Sequence, residues 1–143
     1  MAITSAVCTR FKVELLKAVH NFSASGGNTF KIALYTSDAS LGASTTAYTT
    51  SNEVSGSGYT AKGNALTSVT PVADSTTAVC DFADTSFTSA SFTARGCLIF
   101  NEDATGDPAV CAIDFGGDKT VSSGTFTIQF PAAAASTAII RIA

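Results

Sequence analysis

A mainly β fold, an antiparallel β-sandwich or jelly roll carrying one N-terminal amphipathic helix, is what this sequence predicts. Three observations carry that expectation. Helical periodicity is confined to the first 22 residues. From residue 29 onward, short apolar-alternating runs recur between Gly, Ser, Asn, Asp and Pro clusters. Ala, Ser and Thr fill 62 of the 143 positions, and charged residues only 13%. That charge is about half the usual share for a globular domain.

The helix is expected over residues 4–22. Val7, Phe11, Leu15, Ala18, Val19 and Phe22 fall on one face, with Arg10, Lys12, Glu14 and Lys17 mainly elsewhere. Thr4 or Ser5 is placed to cap its start, Gly26-Gly27 to end it, and Arg10 and Glu14 to pair at i,i+4. The first strand, Thr29–Tyr35, alternates Phe30, Ile32 and Leu34 against Lys31, Ala33 and Tyr35. Residues 36–58 then form a connection rich in Ser, Thr and Gly, with Thr45–Thr50 as a brief edge pairing. Its length predicts a functional or packed segment.

Further strands are expected at Tyr59–Leu66, Thr77–Phe82, Ser91–Phe100, Ala109–Phe115, Thr125–Phe130 and Ala138–Ile142. Asn101–Pro108 reads as a polar hairpin loop, and Gly116-Gly117-Asp118 and Ser122-Ser123-Gly124 as tight turns. Gly96 marks a bulge, with Arg95 free to bridge to a carboxylate. Pro131–Ala135 is a linker or one short helical turn into the last strand. The chain, 1–143, fits a single domain with a 4–22 helix and a 29–143 β-sandwich.

The composition narrows the function classes. The formal net charge is −3, and the eight basic residues (Arg10, Lys12, Lys17, Lys31, Lys62, Arg95, Lys119 and Arg141) form no stripe. Direct nucleic-acid binding, which needs clustered cations to displace counterions, is therefore not expected. No apolar run approaches the length of a membrane helix, and the first residues lack a secretory pattern, which predicts a protein made and kept in a cytoplasm. Cys8, Cys80, Cys97 and Cys111 have no CxxC spacing and read as buried free thiols, with disulfides as the alternative.

The search for chemistry yields no catalytic, cofactor-binding or metal-binding residues. His20 is the only histidine, so any Ser-His-Asp or Cys-His site would need it. Its place near the helix end predicts a structural role against the last carbonyls. Glu102, Asp103 and Asp107 cluster in one loop, with Asp114 and Asp118 near the next turn, but their order is not that of a calcium loop and reads as a solvated tip. Gly56-Ser57-Gly58-Tyr59 has no following helix to hold a phosphate and reads as a conformational device. Asn52 and Glu53 are expected to cap backbone donors in the long connection.

Taken in order, Phe11…His20-Asn21-Phe22, Phe30–Thr36, Tyr48–Thr60, Ala94-Arg95-Gly96, Asp114–Asp118 and Phe126–Pro131 resemble a family of small structural proteins of tailed bacteriophages. The resemblance spans nearly the whole chain and carries over no defined functional residues. It implies a virion component assembled in the bacterial host cytoplasm, foremost a capsid cement or decoration subunit. Its partners would be the major capsid protein, other virion subunits and further copies of itself. The 36–60 segment, long and rich in Gly, Ser and Thr, is expected to lie at an inter-subunit contact. A tail or neck position is the nearest alternative. A carbohydrate- or receptor-binding β-module is a further one, disfavoured by the lack of Trp and by only three Tyr.

Overall fold

A computed structural model describes residues 2–143. Its elements are β1 (Ala6–Val7), α1 (Thr9–Leu16), β2 (Phe30–Tyr35), β3 (Asn64–Ala65), β4 (Ser68–Asp74), β5 (Thr77–Phe82), β6 (Thr85–Asn101), β7 (Ala109–Ile128) and β8 (Ile140–Ile142). They form a five-stranded sheet in the order β1-β7-β6-β2-β3 and a three-stranded sheet in the order β4-β5-β8. Every pairing between these strands is antiparallel. The arrangement is sandwich-like, with the one short helix at its N-terminal side.

Aromatic side chains join the two sheets. Phe30 of the large sheet and Phe82 of the small one have ring centroids 5.9 Å apart. Phe22 stacks on Phe30 at 4.2 Å and also meets Phe82 at 6.1 Å. Strand β2 lies inside the large sheet, with Phe30 and Ile32 through Tyr35 fully buried. A strand covered on both faces reads as a continuous apolar run, as Ile32-Ala-Leu-Tyr35 does.

The helix is shorter than its periodicity predicts. Ala6 and Val7 pair with Ala112 and Cys111 of β7 instead of joining it. Cys8 is the N-cap and makes no side-chain cap bond, so neither Thr4 nor Ser5 serves. At the other end Ala18 adopts φ 59°, which ends the helix before Phe22. Phe22 still reaches the core, but from the turn that follows. The expected Arg10–Glu14 pair forms at 2.8 Å.

The strand pattern also differs from the expected one. Of Tyr59–Leu66 only Asn64–Ala65 pairs, because Lys62 and Gly63 both take positive φ. An added Cβ at Gly63 would lie 1.8 Å from the Ile32 carbonyl oxygen, so the backbones approach as closely as glycine allows. Strand β4 has no counterpart in the sequence reading. Six of its seven residues are exposed, and Pro71 sits where the register shifts between Val69 and Val72. Exposure and an interior proline fit an edge strand and erase the usual strand signal.

The largest difference is β6–β7. The two glycine- and serine-rich segments expected to be turns are bulges inside one 20-residue strand. Ala94 faces Lys119 and Gly96 faces Asp114, so Phe115–Asp118 all oppose Arg95 alone. Gly116 at φ 81° and Ser123 at φ 47° supply the backbone reversals that such insertions need. The expected irregularity at Gly96 and the Arg95–Asp114 bridge, at 2.9 Å, are both present. Asn101–Pro108 is the connecting loop, as expected.

Candidate assembly surface

The long connection after β2 packs against its own domain. Ala39, Leu41 and Val54 are buried in the core. Ala47 bridges Pro108, giving the brief pairing expected near Thr45–Thr50. All three tyrosines of the chain tie this segment down. Tyr35 donates its hydroxyl to the Thr49 carbonyl at 2.7 Å. Tyr48 and Tyr59 each donate to the Glu53 carboxylate at 2.6 Å. Tyr59 also accepts the Leu34 amide at 2.9 Å, and Glu53 accepts the Lys62 amide at 2.7 Å. Glu53 thus caps a backbone donor, but that of Lys62 beyond the connection, whereas Asn52 caps none and acts as a donor, to the Asp38 carbonyl. Burial, reinforced by the neighbouring Glu53, pushes the Tyr48 and Tyr59 hydroxyls far above their ordinary range.

The acidic loop is similarly consumed. Lys62 pairs with Asp107 at 2.8 Å and Glu102 at 3.6 Å, and Lys31 also reaches Glu102. Asp103 accepts the Thr29 amide, and Asp114 accepts from Arg95 and the Gly116 amide. Among the described residues no three His, Cys, Asp or Glu side chains converge on a point where a metal could bind. The four cysteines are free and buried. Burial pushes the Cys8 thiol up to about 11 and those of Cys80 and Cys97 up to about 12, far from a reactive thiolate.

His20 does not meet the last helix carbonyls. It lies beyond the helix, with its ring tilted against Phe11 at 4.9 Å and near Phe30 at 6.2 Å. Its ring nitrogens contact Glu14 Oε1 at 3.2 Å and Asn101 Nδ2 at 3.1 Å. No serine or cysteine nucleophile lies on either nitrogen among the described residues.

The surface that stands out is the far half of the β6–β7 hairpin. Neighbouring strands stop short: β2 covers only Gly96–Asn101 of β6, and β1 covers only Cys111 and Ala112 of β7. Beyond them Thr85–Ala94 and Lys119–Ile128 form a two-stranded ribbon in which Lys119 is the only charged residue, its β6 edge touched by the connection through a single Ser57–Ser91 bridge. One face is aromatic: Phe87, Phe92 and Phe126 gather beneath Tyr59, with Tyr59–Phe87 at 5.5 Å and Phe92–Phe126 at 5.1 Å. The other face carries hydroxyls in cross-strand pairs, Thr93–Thr120 at 2.8 Å and Ser86–Thr127 at 3.0 Å. An open groove of about 410 Å³ runs along Phe115, Lys119 and Phe126–Gln129. Placing this surface against a neighbour strips water from almost no charge. The paired hydroxyls already hold one another, so few rotamers remain to be frozen.

Sequence reading missed this surface because its strands were cut at the two bulges. The signal available was charge: no Asp, Glu, Lys or Arg occurs between Thr85 and Ala94 or between Thr120 and Ile140. Among the described residues no helix is long and apolar enough to cross a membrane. In comparison with known proteins, no family model, curated protein or solved structure matches the chain.

Proposed function

We propose that this chain is a non-enzymatic virion structural protein of a tailed bacteriophage, a capsid cement or decoration subunit that binds and stabilises the head shell. The sequence resemblance supplies the class. The observation that carries it physically is the β6–β7 ribbon, an extended two-stranded platform with a single charged residue. A cement subunit has to fold alone and then bury surface on a repeated lattice, and a rigid β platform of low charge suits that task. The contact with neighbours is placed on the ribbon in preference to the 36–60 segment, since that segment is engaged by Glu53 and the three tyrosines.

Two measurements test the reading. Quantitative mass spectrometry of purified particles gives the copy number. Copies on the order of hundreds support the shell, a multiple of three or six on the order of tens moves the protein to the tail or neck, and absence from particles refutes a virion role. Thr93→Lys with Ser86→Glu adds charge to the hydroxyl face, at positions already exposed or half-exposed. The folded double variant is expected to lose incorporation; normal incorporation would move the contact off the ribbon.

A further inference from the structure

His20 sits at the meeting point of three segments whose polar groups leave it one protonation state. Its side chain is fully buried. Asn101, fully buried on β6, donates through Nδ2 to His20 Nδ1 at 3.1 Å and to Asn28 Oδ1 at 3.1 Å. The Asn101 amide cannot be turned over at no cost, because its Oδ1 accepts the Asp103 amide at 3.0 Å. Asn28 Oδ1 in turn accepts the Asn21 amide at 2.8 Å. With a donor aimed at Nδ1, that nitrogen must be an acceptor, so the ring proton is on Nε2 and is given to Glu14.

Adding a second proton at Nδ1 sets N–H against N–H. Relief requires Asn101 to turn, which breaks its bonds to Asn28 and to the Asp103 amide together. We propose that His20 is an acid-operated latch: protonation at Nδ1 frees Asn101 and thereby loosens the Asn21–Asn28 turn and the Asn101–Pro108 loop while the β ladders stay closed.

The groups facing His20 set the balance. From α1, Glu14 favours the charged ring and Arg10, paired to Glu14 at 2.8 Å, opposes it. From β2 comes the Phe30 ring, from α1 the Phe11 ring, and from β6 only the neutral Asn101. Asp103 turns its carboxylate to the Thr29 amide. Burial dominates and holds the imidazole below its ordinary value. With the folded value depressed, the stability His20 contributes is complete above the unfolded value near 6.5 and is lost as pH falls through the folded one.

The test is amide hydrogen exchange of the intact chain from pH 7.5 to 4.5, corrected for the intrinsic pH dependence, in the wild type and in His20→Gln. The Asn28 and Asp103 amides of the wild type are expected to lose protection by up to about tenfold per pH unit as pH falls from about 6.5 toward the lower folded value of the ring. The amides of Ile32 and Leu98 are expected to stay the more protected at every pH, losing no more than the part His20 contributes to global stability, and His20→Gln to be flat across the range. Equal pH dependence in His20→Gln would assign the effect to carboxylates and overturn the latch, as would unchanged wild-type protection. Nitrogen NMR of the wild-type ring gives a reading independent of the variant's folding: a proton on Nδ1 at neutral pH would also overturn it.

Discussion

Replacing Glu53 with Gln tests whether the long connection is held by a charged anchor. The carboxylate accepts two phenol hydroxyls at 2.6 Å and the Lys62 amide at 2.7 Å. Glutamine keeps one acceptor oxygen but turns an NH₂ toward one of the donors. A hydrogen bond to a charged acceptor contributes about 1.5–3 kcal/mol, and an unsatisfied partner adds to the loss. The expected destabilisation is about 2–4 kcal/mol, a fall in Tm of roughly 5–15 °C for a chain of this size. Circular dichroism melts and urea titrations measure it. The tyrosines sharpen the test because their hydroxyls are not equivalent. Tyr59→Phe also strands the buried Leu34 amide, whereas Tyr48→Phe strands only its share of the carboxylate. Tyr59→Phe should therefore cost more than Tyr48→Phe, by about 1 kcal/mol. A Glu53→Gln loss under about 0.5 kcal/mol, or a reversed order of the two tyrosines, would refute the anchor.

Other perturbations have equally definite outcomes. Gly63→Ala puts a Cβ 1.8 Å from the Ile32 carbonyl oxygen at φ 68° and should abolish soluble folding, while Gly106→Ala, at φ 83° with open space around it, should cost only about 1 kcal/mol in urea titration. Phe30→Ala removes the ring that joins Phe22 to Phe82 and should cost about 3–5 kcal/mol, read by the same titration. Alkali should destabilise the fold in two stages. The buried thiols and the three tyrosines all keep their protons longer when folded, so their contribution is full below the unfolded values. Stability should then fall from roughly pH 8.5 as unfolded thiols ionise, and more steeply from about pH 10 as unfolded tyrosines follow. A urea midpoint that stays flat from pH 8 to 10.5 would count against the burial of these groups.

The β class, the central strand Phe30–Tyr35 and the hairpin loop at Asn101–Pro108 were legible because each rests on a local rule that the tertiary structure obeys. The errors share a physical origin. At Gly116-Gly117 and Ser122-Ser123-Gly124 the local turn chemistry is real, since Gly116 and Ser123 do take positive φ. Yet β6 offers enough partners on both sides to carry the ladder across each interruption. Whether a positive-φ residue reverses a strand or only bulges it depends on what lies opposite, which a single stretch of sequence does not contain. Residues 17–22 show the same effect: apolar spacing suited a helix, but Phe22 reaches Phe30 and Phe82 after Ala18 breaks the helical path.

The anchor and the latch were illegible for a different reason. Glu53 draws on Tyr48, Tyr59 and Lys62, and Tyr59 reaches across to Leu34. His20 meets Asn101, 81 positions away. Such sites are made by the fold rather than by any motif. They also explain how a chain with so little charge can hold a long connection in place. Of its 19 charged side chains, the pairs Arg10–Glu14, Lys62–Asp107 and Arg95–Asp114 fasten the ends of α1, the connection and the β7 bulge. The Thr85–Ala94 and Lys119–Ile128 strands are left with Lys119 alone. Charge spent on internal fastening and withheld from one extended face divides the molecule into a self-contained body and a surface whose burial costs little desolvation. That division, more than any single contact, is what makes assembly through the ribbon the physically economical reading.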